Sequence, residues 1–178
     1  NGKADALSDS AKRGLGLFLS ERIECFHCHG GFNFTDTVSH ESTPFDEVAF
    51  HNTGLYNIDG EGAYPHPNQG LYSLTGDPLD MGRFKAPTLR NINRTAPYMH
   101  DGSIETLREV IEHYAAGGRT IADGEHAGIG SENPFKSEFV PGFIISEEEI
   151  TDLLTFLSTL TDEEFLTNPA YSDPFQTQ

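Results

Sequence analysis

From Ser8 to about Ser20 the apolar residues Ala11, Leu15, Phe18 and Leu19 recur at helical spacing behind Ser and Asp capping residues, which predicts an amphipathic helix. Between Thr106 and Ala116, Leu107, Val110, Ile111 and Tyr114 fall at i, i+3, i+4 and i+7, so a second helix should turn all four inward, with Gly117 closing it. Ser146 and Glu149 have capping-box spacing and open a third helix with the apolar face Ile150, Leu153, Leu154 and Leu157. A short helix is expected between Pro87 and Arg94, with Pro87 in its first turn. Residues 30–86 differ: they carry turn dipeptides such as Asp59-Gly60 and keep neither a helical nor a strand period. They read as a long wrapped loop with room for a short strand pair, and a polar tail follows from Thr161. So long a loop in a compact domain needs apolar surface from elsewhere, which a large bound cofactor would supply.

The 178 residues suit one domain, 1–178, with no repeat and no second core. Eleven Lys and Arg against 28 Asp and Glu leave a formal charge of −17, which repels phosphate backbones and anionic headgroups and excludes nucleic acid as a partner. The hydrophobic fraction is 36%, and no apolar run approaches the ~20 residues of a membrane span. The opening Asn1-Gly2-Lys3-Ala4-Asp5 lacks the basic start and apolar stretch of a secretory signal, so any such signal has been removed or lies outside this sequence.

The run Cys25-Phe26-His27-Cys28-His29 changes the picture most, because C-x-x-C-H is the covalent haem attachment pattern. Two thiols a helical turn apart can each add to one vinyl group, and the imidazole of the next residue then lies beneath the iron. His29 is the expected proximal ligand. A dithiol pair or half a zinc site would use the same cysteines but leaves the adjacent histidine unexplained. The expected fold is therefore mainly α, a cytochrome c-like haem domain with long irregular loops. For the second iron ligand Met99, Met81, Tyr114, His100 and His113 are all chemically able. The choice matters: a thioether raises the potential, whereas an anionic phenolate favours ferric and higher states.

Through Gly82-Arg83-Phe84-Lys85-Ala86-Pro87-Thr88-Leu89-Arg90-Asn91 and Thr95-Ala96-Pro97-Tyr98-Met99-His100-Asp101-Gly102, the chain resembles the carboxy-terminal half of bacterial di-haem cytochrome c peroxidases and MauG-type enzymes. The match continues through residues 54–60, 136–143 and 160–166, and looks most like the MauG-type branch that contains the methanobactin-associated enzymes. The resemblance implies a periplasmic oxidoreductase acting with hydrogen peroxide. The amino-terminal haem would react with peroxide, while the carboxy-terminal one exchanges electrons or stores an oxidising equivalent.

In the peroxidases a Met nineteen residues after the Thr of T-x-P-Y-x-H-D-G ligates this haem, and MauG-type enzymes have Tyr there. Counting from Thr95 gives Tyr114, the inward-facing position already found. The resemblance also implies a calcium ion between the halves, held by main-chain carbonyls at Thr95 and Pro97. His100 is placed at the haem or the domain interface, and Arg90 is a partner for a haem propionate. Expected partners are the amino-terminal haem domain or a separate chain carrying it, and a redox partner or protein substrate. The sequence holds one haem motif and no Trp, so this chain alone is expected to be an incomplete enzyme. The competing expectation is a stand-alone mono-haem c-type electron carrier.

Overall fold

A computed structural model describes residues 5–38, 41, 49–173 and 175. In chain order the elements are α1 (Asp9–Phe18), α2 (Cys25–Cys28), β1 (Phe50–His51), α3 (Tyr72–Thr75), β2 (Phe84–Lys85), α4 (Leu107–Ala115), β3 (Thr120–Ile121), β4 (Gly128–Ile129), α5 (Glu147–Ser158) and α6 (Glu163–Thr167). None of these helices is long and apolar enough to cross a membrane.

Three helices form as their patterns dictate. The Ser8 hydroxyl accepts from the Ala11 amide at the start of α1. Full capping boxes open α4, through Thr106 and Glu109, and α5, through Ser146 and Glu149. Each such cap satisfies amides that the helix cannot bond itself, a contribution of about 1 kcal/mol. The scaffold is the α1–α5 pair. Phe18 packs on Phe156 with ring centroids 5.2 Å apart. Asp152, almost wholly buried, accepts from Arg13 Nε at 2.7 Å, Arg13 Nη2 at 2.8 Å and Ser10 Oγ at 2.5 Å. The helices close tightly because position 14 is glycine: a Cβ there would stand 2.0 Å from the Asp152 carbonyl oxygen. The core continues from this pair through Ile23, Leu55, Tyr64, Leu107, Ile111, Ile150, Leu153 and Leu157.

The loop of residues 30–86, whose positions 39–40 and 42–48 lie outside the described residues, is braced rather than structureless. Buried Asn52 donates to the Met81 carbonyl at 2.9 Å, and its Oδ1 accepts from the Gly54 amide and the Tyr64 hydroxyl. Asn57 ties the Ile129 carbonyl to the Gly62 amide, and Asn133 reaches the Tyr56 carbonyl. Amides that bond backbone in both directions substitute for a ladder where no regular period exists. One strand pair does form, β1 with β2, antiparallel.

Two expectations are corrected. The helix from Pro87 to Arg94 is only a single 3-10 turn, Ile92–Arg94, because Asn91 before it is left-handed, at φ 61°. The polar tail contains α6, capped by the Asp162 side chain on the Phe165 amide, and a further 3-10 turn at Pro169–Tyr171. The antiparallel β3–β4 pair went unpredicted, since two-residue strands are too short to show a period.

Candidate haem site

Cys25 and Cys28 begin and end α2, a single helical turn that Glu24 enters in the left-handed conformation, at φ 59°. The His29 amide closes that turn on the Cys25 carbonyl at 3.0 Å. Both thiols are free and half-buried. Burial pushes each up to about 12, with nearby Asp36 adding to the effect at Cys28. A dithiol redox pair or a zinc site needs thiolates stabilised near neutral pH. Here burial holds the thiols neutral, and the carboxylates of Asp36 and Glu24 add to that effect at Cys28.

His29 carries the clearest second-sphere arrangement. Its Nδ1 lies 3.3 Å from the Phe34 carbonyl and 3.2 Å from the Pro87 carbonyl. Carbonyls only accept, so Nδ1 bears the proton and Nε2 keeps its lone pair for a metal, as in most ligating histidines. Burial also lowers the imidazole below its ordinary value, favouring the neutral form that ligates. The loop that presents Phe34 is pinned to the motif. The Asp36 amide donates to the Cys28 carbonyl at 2.9 Å, and the Asp36 carboxylate meets His51 Nε2 of β1 at 2.5 Å.

Tyr114 stands on the inward face of α4. Burial raises its phenol above the ordinary value, and the next contributions come from the Cys28 and Cys25 thiols and from Tyr64. Tyr114 thus lies within electrostatic reach of both attachment thiols, and a phenol so buried keeps its proton unless a cation takes its place. Phe34, Met81, Phe84, Leu89, Met99, Val110 and Phe143 pack on the core yet stay only partly buried. A two-thiol turn, a histidine with a free Nε2, and a phenol within electrostatic reach of the thiols fit a covalently attached haem.

The remaining predicted residues divide. Met99 is partly buried in an unusual left-handed conformation, at φ 70°, whereas His113 is turned away, its Nε2 bonded to the Thr53 carbonyl at 3.0 Å. His100 is exposed and stacks on Phe84, with centroids 3.7 Å apart. Arg90, also exposed, donates to the Phe32 carbonyl at 2.6 Å and covers the Phe32 ring at 4.7 Å. Thr95 and Pro97 lie on an exposed loop. Nothing in the residue pattern points to the Phe34 and Pro87 carbonyls, because main-chain partners carry no side-chain signal. The Asp36–His51 pair was also missed, since the two residues lie fifteen positions apart in a region without periodicity.

The fold and this arrangement define a cytochrome c-type domain. No family model matches the chain. The cytochrome-c peroxidase IdrP1 of Pseudomonas sp. (strain SCT) is 32% identical over 176 residues, covering 92% of this chain and 43% of that protein. The methylamine utilization protein MauG of Methylorubrum extorquens is 32% identical over 164 residues, 91% of this chain and 37% of that protein. The crystal structure of a MauG-like protein associated with microbial copper homeostasis is 52% identical and superposes with a TM-score of 0.92, covering 96% of this chain and 49% of that one. The fold alone is shared with the diheme peroxidase BthA of Burkholderia thailandensis, at a TM-score of 0.62 and 19% identity, over 91% of this chain and 45% of that one. The chain belongs to the cytochrome c peroxidase and MauG family and corresponds to its carboxy-terminal half. It spans less than half the length of the curated relatives it matches.

Proposed function

We propose that this chain is the electron-transfer haem domain of a di-haem oxidoreductase of the peroxidase and MauG type, acting with hydrogen peroxide and oxidising a protein substrate. Residues 1–178 form one domain on this reading, whose partner is an amino-terminal haem domain, in the same chain or another, in the periplasm. The observation that carries the proposal is the His29 tautomer fixed by the Phe34 and Pro87 carbonyls, together with a buried phenol within electrostatic reach of both attachment thiols.

Cys25 and Cys28 would hold one haem by thioether bonds, each thiol adding across one vinyl group, and His29 and Tyr114 would ligate its iron. When bound, the haem supplies one-electron chemistry at a potential set by those ligands. The protein's own contribution is orientation and exclusion of water. The two carbonyls fix the His29 ring, and the half-buried apolar side chains on the core would shed water against a bound haem. An anionic phenolate stabilises the ferric state, which suits a centre that stores an oxidising equivalent better than one that shuttles electrons at high potential. Arg90 would pair with a propionate, and His100 would face the haem or the partner half. Thr95 and Pro97 lie on an exposed loop, and their main-chain oxygens would suit a hard cation such as calcium once the other half completes the shell.

The test is a pair of variants of the haem-loaded protein. Tyr114→Phe should change the ferric visible spectrum to that of a five-coordinate or water-bound haem, while covalent attachment survives. Tyr114→Met should raise the potential. An unchanged spectrum in Tyr114→Phe, with loss of six-coordination in Met99→Ala, would move the ligand to Met99 and the function to a mono-haem electron carrier.

A further inference from the structure

On the outer side of the attachment turn three donor side chains converge. His27 Nε2 lies 3.1 Å from Glu21 Oε2 and 2.9 Å from Glu24 Oε2. The ring is held in place: it lies flat on Phe139, centroids 4.5 Å apart and 9° from parallel, and beside Phe26 at 4.1 Å. The positions 21, 24 and 27 repeat every three residues, so the turn into α2 carries all three on one side.

One ring nitrogen cannot satisfy two carboxylates. Nε2 bears at most one proton. The contact with Glu21 has hydrogen-bond geometry, whereas Glu24 Oε2, with essentially no solvent-accessible area, has no hydrogen-bond partner despite standing 2.9 Å from the same nitrogen. No Lys or Arg among the described residues pairs with either glutamate, and Arg22 between them turns away to the Ile144 carbonyl and Glu149. Two carboxylates and an imidazole thus face one point with too few protons among them, and a buried acceptor left unpaired is unfavourable.

The spacing itself is that of ligands around a metal. With bonds of about 2.0–2.2 Å to nitrogen and oxygen, two donors of an octahedral or tetrahedral shell stand about 2.9–3.4 Å apart. We propose that Glu21, Glu24 and His27 form a binding site for a divalent transition-metal ion of the zinc or copper(II) class, with water completing the shell. One imidazole with two carboxylates suits such borderline cations better than magnesium, which keeps its water and favours oxygen alone. The site is separate from the haem ligands: His27 lies between the two attachment cysteines in sequence but faces the Glu21–Glu24 side of the turn. A bound ion would clamp the segment before α2 to the α2 turn itself.

Haem-loaded protein titrated calorimetrically with Zn(II) tests this. The parent should bind one equivalent, and Glu21→Gln and His27→Asn should each weaken binding by at least about tenfold with the haem spectrum unchanged. With Cu(II) as probe, electron paramagnetic resonance should show coupling to an imidazole nitrogen that disappears in His27→Asn. Should His27→Asn fail to mature, Glu21→Gln decides alone, because that side chain is 77% exposed and can change without disturbing the fold. Zn(II) affinity within twofold of the parent in Glu21→Gln, or no stoichiometric binding by the parent, would overturn the proposal.

Discussion

Two glycines of α1 offer a controlled measurement of how tightly the scaffold closes. At Gly14 an added Cβ would meet the Asp152 carbonyl oxygen at 2.0 Å, its carbon at 2.5 Å and Phe156 Cβ at 2.9 Å, while at Gly16 it would meet nothing within 4 Å. Both changes to Ala gain the same helix propensity, about 1 kcal/mol. For Gly16→Ala that gain is the whole effect, so the variant should be more stable than the parent by about 0.5–1 kcal/mol. For Gly14→Ala the obstacle is backbone of the facing helix, which cannot rotate aside, so α1 must back away from α5 by about 1 Å. Overpacking of this kind costs about 1–3 kcal/mol. Separation of the helices also loosens the contact of Phe18 with Phe156 and the three hydrogen bonds at Asp152. The two variants should therefore differ by about 3 kcal/mol, or about 6–12 °C in melting temperature for a chain of this size. Thermal unfolding of both haem-loaded variants, followed by far-ultraviolet circular dichroism, measures that difference directly. Equal melting temperatures, or a Gly14→Ala variant more stable than Gly16→Ala, would refute the close α1–α5 approach.

Three further outcomes follow from buried polar groups. Burial, partly opposed by the hydrogen bond to the Thr53 carbonyl, pushes His113 from 6.5 down to about 4. The unfolded chain then takes up a proton below pH 6.5 that the folded chain refuses, so stability present above 6.5 should fall as pH drops towards 4, and His113→Gln should flatten that slope in urea-unfolding midpoints. Asp152 is held below the usual carboxylate range by Arg13 first and Ser10 second, so its contribution is present above the ordinary value of 3.8 and lost in stronger acid; Asp152→Asn should weaken that acid dependence in the same assay. Asn52→Ala would orphan the Met81 carbonyl and the Gly54 amide and leave the Tyr64 hydroxyl only the bond it accepts from the Leu55 amide, and should lower stability by about 2–4 kcal/mol; a urea midpoint within error of the parent would show that the brace is dispensable.

Much of this architecture was legible in the sequence because it rests on local rules. The capping box at Ser146 and the helix of α4, with Leu107 and Ile111 turned inward, follow from spacing alone, and the haem motif is five consecutive residues. The failures share a physical cause. Asn91 in the left-handed region cuts the expected 87–94 helix to one turn, and no residue periodicity reports such a backbone choice. Phe156 and Asp152 sit off the predicted α5 stripe, yet both are buried, because α1 covers that side of the helix through Gly14. The Phe34 and Pro87 carbonyls that orient His29, and the convergence of Glu21 and Glu24 on His27, depend on chain path rather than residue type.

The central claim, a covalent haem on Cys25 and Cys28, is tested most directly by the intact mass of the denatured protein after production with the haem attachment machinery. The predicted mass is that of the polypeptide plus one haem, falling to the bare polypeptide when both cysteines are replaced by Ala. The mass of the bare polypeptide in the parent, with any haem extracted freely by acid acetone, would contradict it.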